Sequence, residues 1–140
     1  MKFNYMKTPD NTEPSGYISL PLLDVRLFNG DKQKGVRCLL DSGADHSMFH
    51  SSVADALGID LTSGRPRTYY GIARQAAIGF LHPIKLQVTG FNETIDIEAA
   101  FTEDNDIPLI GQVGFFDFYQ VTFERYRGRF ELKSRTHLYR

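Results

Sequence analysis

Apolar residues recur at every second position in several short segments of the chain, with turn residues between them. Residues 83–89 and 92–101 alternate cleanly between apolar and polar positions, and a period of two is typical of half-buried β-strands. Residues 17–28 are dense in Ile, Leu, Val and aromatics. The apolar set of this segment changes faces near Leu22, which predicts a long strand with a bulge or bend.

Turn signals indicate how these strands connect. Asn29-Gly30-Asp31 is a strong hairpin signal, and it predicts that the strand over 17–28 returns into the short apolar run 36–40. A last hairpin is expected from 119–123 and 129–132. Because short strands and turns dominate and helix signals are few, the sequence predicts an all-β domain.

Helix signals are limited to two places. Ser51 and Ser52 precede and Gly58 follows the apolar-periodic residues 53–57, which predicts a short helix. Residues 113–118 can form one or two helical turns. The first fifteen residues are polar, turn-rich and not periodic. We therefore expect residues 1–15 to form an N-terminal tail or docking arm, followed by one domain over residues 16–140.

Composition fits this picture and excludes several classes of protein. A chain of 140 residues with 41% hydrophobic and 24% charged residues is an ordinary globular domain. A net charge of -1 gives no electrostatic case for nucleic acid or an anionic membrane surface. No signal peptide and no bilayer-spanning stretch is visible, so a cytoplasmic location is expected. The one cysteine, Cys38, is expected to be a buried core thiol.

The chemistry is concentrated where the run 36–40 ends, at Asp41-Ser42-Gly43-Ala44-Asp45. We expect Asp41 to stand where a buried strand gives way to a bend, with its neighbours shielded from water. A carboxylate there must be hydrogen-bonded, paired or protonated, because burying a bare charge is very costly. Asp-Ser-Gly is also ordinary turn chemistry, and the tripeptide alone leaves both interpretations open.

A second stretch, Ile107-Pro108-Leu109-Ile110-Gly111, echoes the first without its acid, and Gly114-Phe115-Phe116-Asp117 follows. Together the stretches resemble the retropepsin-like aspartic proteases, in which an apolar-apolar-Asp-Thr/Ser-Gly-Ala strand end precedes an apolar-apolar-Gly strand. The similarity extends over most of the chain from about Tyr17. It implies an acid-protease barrel with one or two short helices, assembled as a two-fold homodimer.

The resemblance implies a role for each matching position. Asp41 matches the catalytic aspartate. Ser42 matches the hydroxyl residue that braces the two acids across the dimer axis, and Gly43 the glycine that lets substrate approach the backbone. Gly111 matches the glycine of the second motif, a structural position beneath the catalytic loop.

Two regions are implied to contact the substrate. Ala44 and Asp45 match positions beside the peptide, although a solvated turn acid is the alternative for Asp45. Two strands joined by small residues predict a projecting hairpin, which corresponds to the flap that closes over bound peptide or is a plain surface hairpin. The hairpin positions expected to contact peptide are Ile72, Ala73, Ala76 and Ile78.

The implied reaction is hydrolysis of a peptide bond by water, without cofactor or metal. Two carboxyls that share one proton suit this chemistry, because like charges about 3 Å apart cannot both ionise. Asp-Ser-Gly occurs once in the chain, so the second acid must come from an identical subunit. The alternative is a retropepsin-fold dimerisation or peptide-binding module that never turns over substrate.

The chain departs from the family pattern at one position, and two other kinds of functional site have to be weighed against the protease site. Many retroviral members have Arg after the second glycine, paired with the acid at the Asp45 position, whereas this chain has Gln112; the dimer contact there must differ. His46 and His50 have a spacing that suits zinc on a helix, but turn residues argue against a helix and no third ligand is placed. Ser42 and His46 suggest a serine hydrolase, yet the Gly-x-Ser-x-Gly elbow is absent.

Overall fold

The computed structural model describes residues 1–135, so residues 136–140 of the predicted domain, including His137, lie outside the described part. One α-helix occurs in that part, α1 (Ser51–Ala56), together with short helical turns at Leu61–Ser63, Ile72–Arg74, Gln112–Phe116 and Arg125–Arg127. The strands there are β1 (Lys2–Asn4), β2 (Met6–Pro9), β3 (Tyr17–Leu20), β4 (Leu22–Asn29), β5 (Lys32–Leu40), β6 (Ser47–His50), β7 (Arg65–Tyr70), β8 (Ala76–Val88), β9 (Ile95–Thr102), β10 (Leu109–Ile110), β11 (Tyr119–Glu124) and β12 (Arg129–Ser134).

The main sheet closes into a barrel. Its strand order is β4-β5-β10-β6-β9-β8, and β8 also pairs with β4, while β7 adds to the outer side of β8. A closed sheet leaves few unpaired edges. The all-β barrel with one or two short helices that the sequence predicted is confirmed.

The hairpin of β4 and β5 brings the chain to Asp41. Asn29 and Lys32 are cross-strand partners, so Gly30 and Asp31 form a two-residue turn, and Gly30 has the positive φ of 61° that such turns require. The predicted hairpin is therefore confirmed. The predicted bend is found as a break at Pro21, between β3 and β4, where proline cannot donate a ladder hydrogen bond.

The two echoing motifs lie side by side. Strand β10 runs parallel to β5, with Leu109 opposite Leu39 and Ile110 opposite Leu40, and it is antiparallel to β6 on its other side. Both Leu40 and Ile110 are buried, as expected for central strands covered on both faces. This pairing places the end of β5, and with it Asp41, directly beside Gly111.

The core lies inside the barrel and extends beneath α1 and β11–β12. Its largest buried side chains are aromatic, which suits a barrel interior because each fills a large volume. They are Phe49, Phe101, Phe115, Tyr119 and Phe130. Cys38 belongs to the same core, and burial raises the pKa of its thiol. The expectation of a buried core thiol is confirmed.

The first fifteen residues contain two strands where the sequence predicted a tail or docking arm. β1 pairs with β12 and β2 pairs with β3, both antiparallel, and the ring of Phe3 stacks on Phe130 at 5.2 Å. Such short strands carry too few residues to show a period, so the pattern missed them. The domain boundary at residue 16 stays a prediction. No helix in residues 1–135 has the length and apolar character needed to cross a membrane.

Candidate active site

The end of β5 continues into a tight turn that we call the Asp41 loop, residues 41–46. The Asp41 carboxylate accepts a hydrogen bond from the Gly43 N–H at 2.9 Å, and the Asp41 carbonyl accepts one from the Ala44 N–H at 3.2 Å. Asp41 is half-buried. The turn and catalytic interpretations are therefore compatible, since the turn itself fixes the carboxylate at the end of a rigid strand.

The sequence predicted that the neighbours of Asp41 are shielded from water, and this is true of the residue before it but not of the two residues after it. Leu40, which precedes Asp41, is buried, whereas Ser42 and Gly43 are exposed in the single chain. Both backbone groups of Ala44 are used within the site, because its N–H bonds Asp41 and its carbonyl accepts the Gln112 N–H at 2.9 Å. Ser42 and Gly43 therefore form the exposed rim of the loop beside Asp41, and Asp45 is exposed further along the loop.

The segment 110–113, which begins at the last residue of β10, is hydrogen-bonded to the Asp41 loop. The Asp41 N–H donates to the Ile110 carbonyl at 2.9 Å, and the Val113 N–H donates to the Asp45 carbonyl at 2.7 Å. The Gly111 N–H donates to the Ser47 hydroxyl at 3.1 Å. These bonds tie both ends of the loop to one neighbouring segment, so the loop is held as a unit.

Gln112 departs from the arginine that the resemblance would place there, and the structure shows what it does instead. Its side-chain amide donates to the Ser42 carbonyl, so it braces the Asp41 loop through the backbone rather than by charge. The cation beside Asp45 comes from a different strand. The Arg67 guanidinium of β7 lies 3.2 Å from the Asp45 carboxylate.

Arg67 belongs to a cluster that links β7 to the Asp41 loop. Its other guanidinium nitrogen lies 3.3 Å from Nδ1 of His46, and the Tyr69 hydroxyl lies 3.1 Å from the same Nδ1. The Tyr69 ring packs edge-on against His46 at 6.0 Å between centroids. Asp45 remains largely exposed at its side chain, so it can meet a ligand while it is paired with Arg67.

Burial, followed by the nearby charge of Arg67, lowers the pKa of His46, while Glu98 and Asp45 act in the opposite direction. The first cause is desolvation, which disfavours the charged imidazolium. His46 is buried in the structure, and its Nδ1 faces two donors. The neutral ring is therefore the form that this surrounding favours.

The predicted hairpin is formed by β7 and β8, which pair from Arg65 opposite Leu81 to Tyr70 opposite Ala76. Ile72, Ala73 and Ala76 at and beside its tip are exposed. The Ile78 N–H donates to the Asp104 carboxylate at 3.1 Å. Within residues 1–135, the hairpin forms hydrogen bonds to the Asp41 loop through Arg67 and Tyr69. The base of the hairpin is therefore joined to the loop, and its tip projects.

The competing histidine sites have other structural roles. His50 is the N-cap of α1, where its Nδ1 accepts the Ser52 N–H at 3.1 Å; the sequence had placed serine at this cap. His46 is engaged by Arg67 and Tyr69. Among residues 1–135, no group of three or more His, Cys, Asp or Glu side chains is arranged to hold a metal ion.

Arg67 and Tyr69 were not among the residues that the sequence singled out. A signal was present, because Arg65, Arg67 and Tyr69 occupy alternate positions and therefore share one face of a strand. The alternation predicts that the three side chains lie on one face of a strand, but it does not predict which part of the protein that face contacts. The contact with the Asp41 loop depends on the closure of the barrel.

Comparison with known proteins agrees with this geometry. A family model described as aspartyl protease matches residues 24–112. A retropepsin-like aspartic protease from Rickettsia conorii is similar in structure with a TM-score of 0.60 and 16% identity, covering 93% of this chain and 97% of that one. EIAV protease, solved with the inhibitor HBY-793, gives a TM-score of 0.51 and 18% identity, covering 75% of this chain and 88% of that one.

No curated protein sequence matches the chain significantly. The family match nevertheless spans both motifs, from β4 through the Asp41 loop to Gln112. The two solved structures share the barrel over most of their length. The chain therefore belongs to the aspartyl protease family and has the retropepsin-like fold.

Proposed function

We propose that the protein is an aspartic endopeptidase whose active site forms when two copies of the chain bring their Asp41 carboxylates together. The observation that carries this proposal is the position of Asp41 directly after the buried Leu40 at the end of β5. Four residues of its loop are hydrogen-bonded to the segment 110–113, namely Asp41, Ser42, Ala44 and Asp45. Such support is what a reacting group needs, because catalysis depends on side chains held in a fixed geometry.

The chemistry follows from two carboxyls that share one proton. One Asp41 carboxylate accepts a proton from water as the water oxygen attacks the peptide carbonyl carbon, while the protonated partner donates its proton to the carbonyl oxygen. The pair titrates as a unit. Collapse of the resulting diol, with proton transfer to the leaving nitrogen, breaks the peptide bond and regenerates the shared proton.

The need for a second copy rests on a count. One Asp-Ser-Gly occurs in the chain, and the segment paired with it, Leu109-Ile110-Gly111, supplies no acid. A two-fold axis beside Asp41 would place an identical carboxylate opposite it. We infer that Ser42, exposed at the rim of the loop, braces the partner loop across that axis.

The substrate is proposed to be an extended polypeptide lying between the Asp41 loop and the β7–β8 hairpin. Gly43 offers a backbone that a peptide can approach closely, and Ala44 and Asp45 would flank its main chain. The hairpin positions proposed to contact it from above are exposed in the single chain: Ile72, Ala73, Ala76 and Ile78.

Cleavage of a peptide library by wild type, Asp41→Asn and Asp31→Asn tests the proposal. Asp41→Asn keeps the side-chain shape but cannot hold or accept the proton, so we expect kcat/KM to fall by at least about a thousandfold. Asp31→Asn changes an acid in the β4–β5 turn, away from the site, and should cleave as wild type does. Retained cleavage in Asp41→Asn would overturn the mechanism, and binding of peptide without cleavage in all three would indicate a peptide-binding module.

A further inference from the structure

The link between hairpin and loop is made by side chains. Strand β7 pairs with β8 and, among the described strands, with no other. Backbone hydrogen bonds therefore hold β7 to β8, and the hydrogen bonds that join it to the Asp41 loop come from the side chains of Arg67 and Tyr69. These two side chains make three contacts with two groups on the loop, the Asp45 carboxylate and Nδ1 of His46.

The geometry at His46 defines its protonation. Arg67 has only donors and does not lose its proton in proteins, so Nδ1 of His46, 3.3 Å from the guanidinium, must be the acceptor. The Tyr69 hydroxyl, 3.1 Å away, also directs its hydrogen at Nδ1. The ring proton then resides on Nε2. A proton added to Nδ1 would remove the hydrogen bond from Arg67 and reverse the one with Tyr69, whose hydroxyl oxygen can accept. It would also place a second positive charge against Arg67.

We propose that Arg67 is a positioning residue, which orients Asp45 and clamps β7 to the Asp41 loop, and that this clamp holds only while His46 is neutral. The effect of the clamp on substrate binding rests on the proposed protease function, whereas the existence of the clamp does not depend on that function. With the clamp closed, the hairpin base and Asp45 are prearranged for a peptide, and preorganisation improves binding chiefly by reducing ordering on association.

The charged groups around His46 set the sign of the pH effect. Arg67 and Arg65 oppose its protonation, Asp45 and Glu98 favour it, and burial, the largest cause, opposes it. The net result is a lowered pKa in the folded protein. The contribution of neutral His46 is therefore fully present above its unfolded pKa of about 6.5 and is lost as the pH falls through the lower folded value.

Three variants separate this proposal from a general structural effect. Arg67→Met removes both contacts. Arg65→Met is its matched control, because Arg65 lies on the same face of β7 but binds Glu98, at 2.7 Å. His46→Asn places an amide oxygen near the Nδ1 position and does not titrate. Thermal unfolding first establishes that each variant is folded at the pH of the assay.

The readouts are amide hydrogen exchange of residues 43–46 and of β7, and KM and kcat for one peptide, each from pH 5 to 7.5. At pH 7.5 we expect Arg67→Met to exchange about tenfold faster in both segments and to raise KM about tenfold with kcat within about twofold. At pH 7.5 Arg65→Met should match wild type. Wild type should show the same loosening below pH 6.5, and His46→Asn should show no such pH step.

If amide exchange and KM in Arg67→Met equal those in Arg65→Met, the proposed clamp is overturned. If the pH step persists in His46→Asn, the proposed role of His46 is overturned. The exchange measurement needs no substrate. If wild type cleaves no peptide, the proposed function fails while the exchange comparison still decides whether Arg67 and His46 hold the hairpin.

Discussion

Gly111 lies where two backbone segments approach too closely for a side chain. A Cβ built on it would lie 2.5 Å from the carbonyl carbon and oxygen of His46 and 2.9 Å from the Ala44 carbonyl oxygen. These are backbone atoms of the Asp41 loop, so they cannot rotate away. The glycine of the second motif is thus explained by packing: its absent side chain lets the segment 110–113 reach the loop that carries Asp41.

Gly111→Ala should lower the free energy of unfolding by at least about 2 kcal/mol, because overpacking against fixed backbone forces one of the two segments to move. Gly35→Ala in β5 is the matched control, since its Cβ would meet only the flexible guanidinium of Arg26, at 3.3 Å; we expect it to be neutral or slightly stabilising. Urea unfolding measures both. Equal stability of the two variants would contradict this account of Gly111.

The residues of the site differ in how far the sequence could predict them. Asp41 and Gly111 lie in short motifs whose chemistry is local, so a pattern finds them. Arg67 acts through residues about twenty positions away in the chain, and no local pattern encodes that distance. Gln112 was recognised as a departure, but its bond to the Ser42 carbonyl depends on how β10 lies beside β5.

At the scale of elements, the β7–β8 hairpin has an unusual tip. Ala73 and Arg74 both have positive φ, 64° and 59°, a left-handed conformation that costs a residue with a side chain about 1–2 kcal/mol. Two consecutive residues of this kind make the tip locally strained. The strain lies in the part of the hairpin that projects from the barrel, where a flap would have to move.

Ala73→Gly should therefore leave the hairpin as stable as in wild type or stabilise it by up to about 1 kcal/mol, because glycine adopts positive φ without strain. Ala76→Gly, at the start of β8 where φ is not positive, should instead loosen the hairpin by about 0.5–1 kcal/mol. Amide exchange of β7 reports on both. A loosening of equal size in the two variants would show that the tip is unstrained.

Elements with a clear period or a strong turn were predicted from the sequence, and elements without either were missed. The β4–β5 hairpin was found because Asn29-Gly30-Asp31 is a local signal, and it was confirmed by the pairing of Asn29 with Lys32. β1 and β2 were missed. Three or four residues define no period, and the partner of β1 is β12 at the other end of the described chain.

At the scale of the whole molecule, the proposed mechanism requires a second copy, because Asp-Ser-Gly occurs once in the chain. Ser42 and Gly43 are exposed beside Asp41, and Ile72 at the hairpin tip is 96% exposed. Tyr70 and Ile78 of the same hairpin are also exposed, and apolar side chains exposed together, unlike a single one, mark a surface that a ligand or a partner covers. A second copy around an axis at Asp41 would account for the exposed loop rim and for the missing carboxylate together.

Self-association is therefore expected. Sedimentation equilibrium at micromolar concentrations should show a dimer whose dissociation constant lies below the concentration at which peptide is cleaved, because a monomer holds one acid of the pair. Asp41→Asn should dimerise as wild type does, since the substitution keeps size and polarity. A wild-type protein that is monomeric at high micromolar concentration yet cleaves peptide would rule out a shared site.

The most direct test of the shared site is to mix wild type with Asp41→Asn at constant total concentration, allow the subunits to exchange, and measure peptide cleavage. If each active site takes one Asp41 from each of two chains, activity follows the square of the wild-type fraction, so an equal mixture retains about a quarter of it. Activity that falls linearly, to about a half in the equal mixture, would show that each chain carries its own complete site.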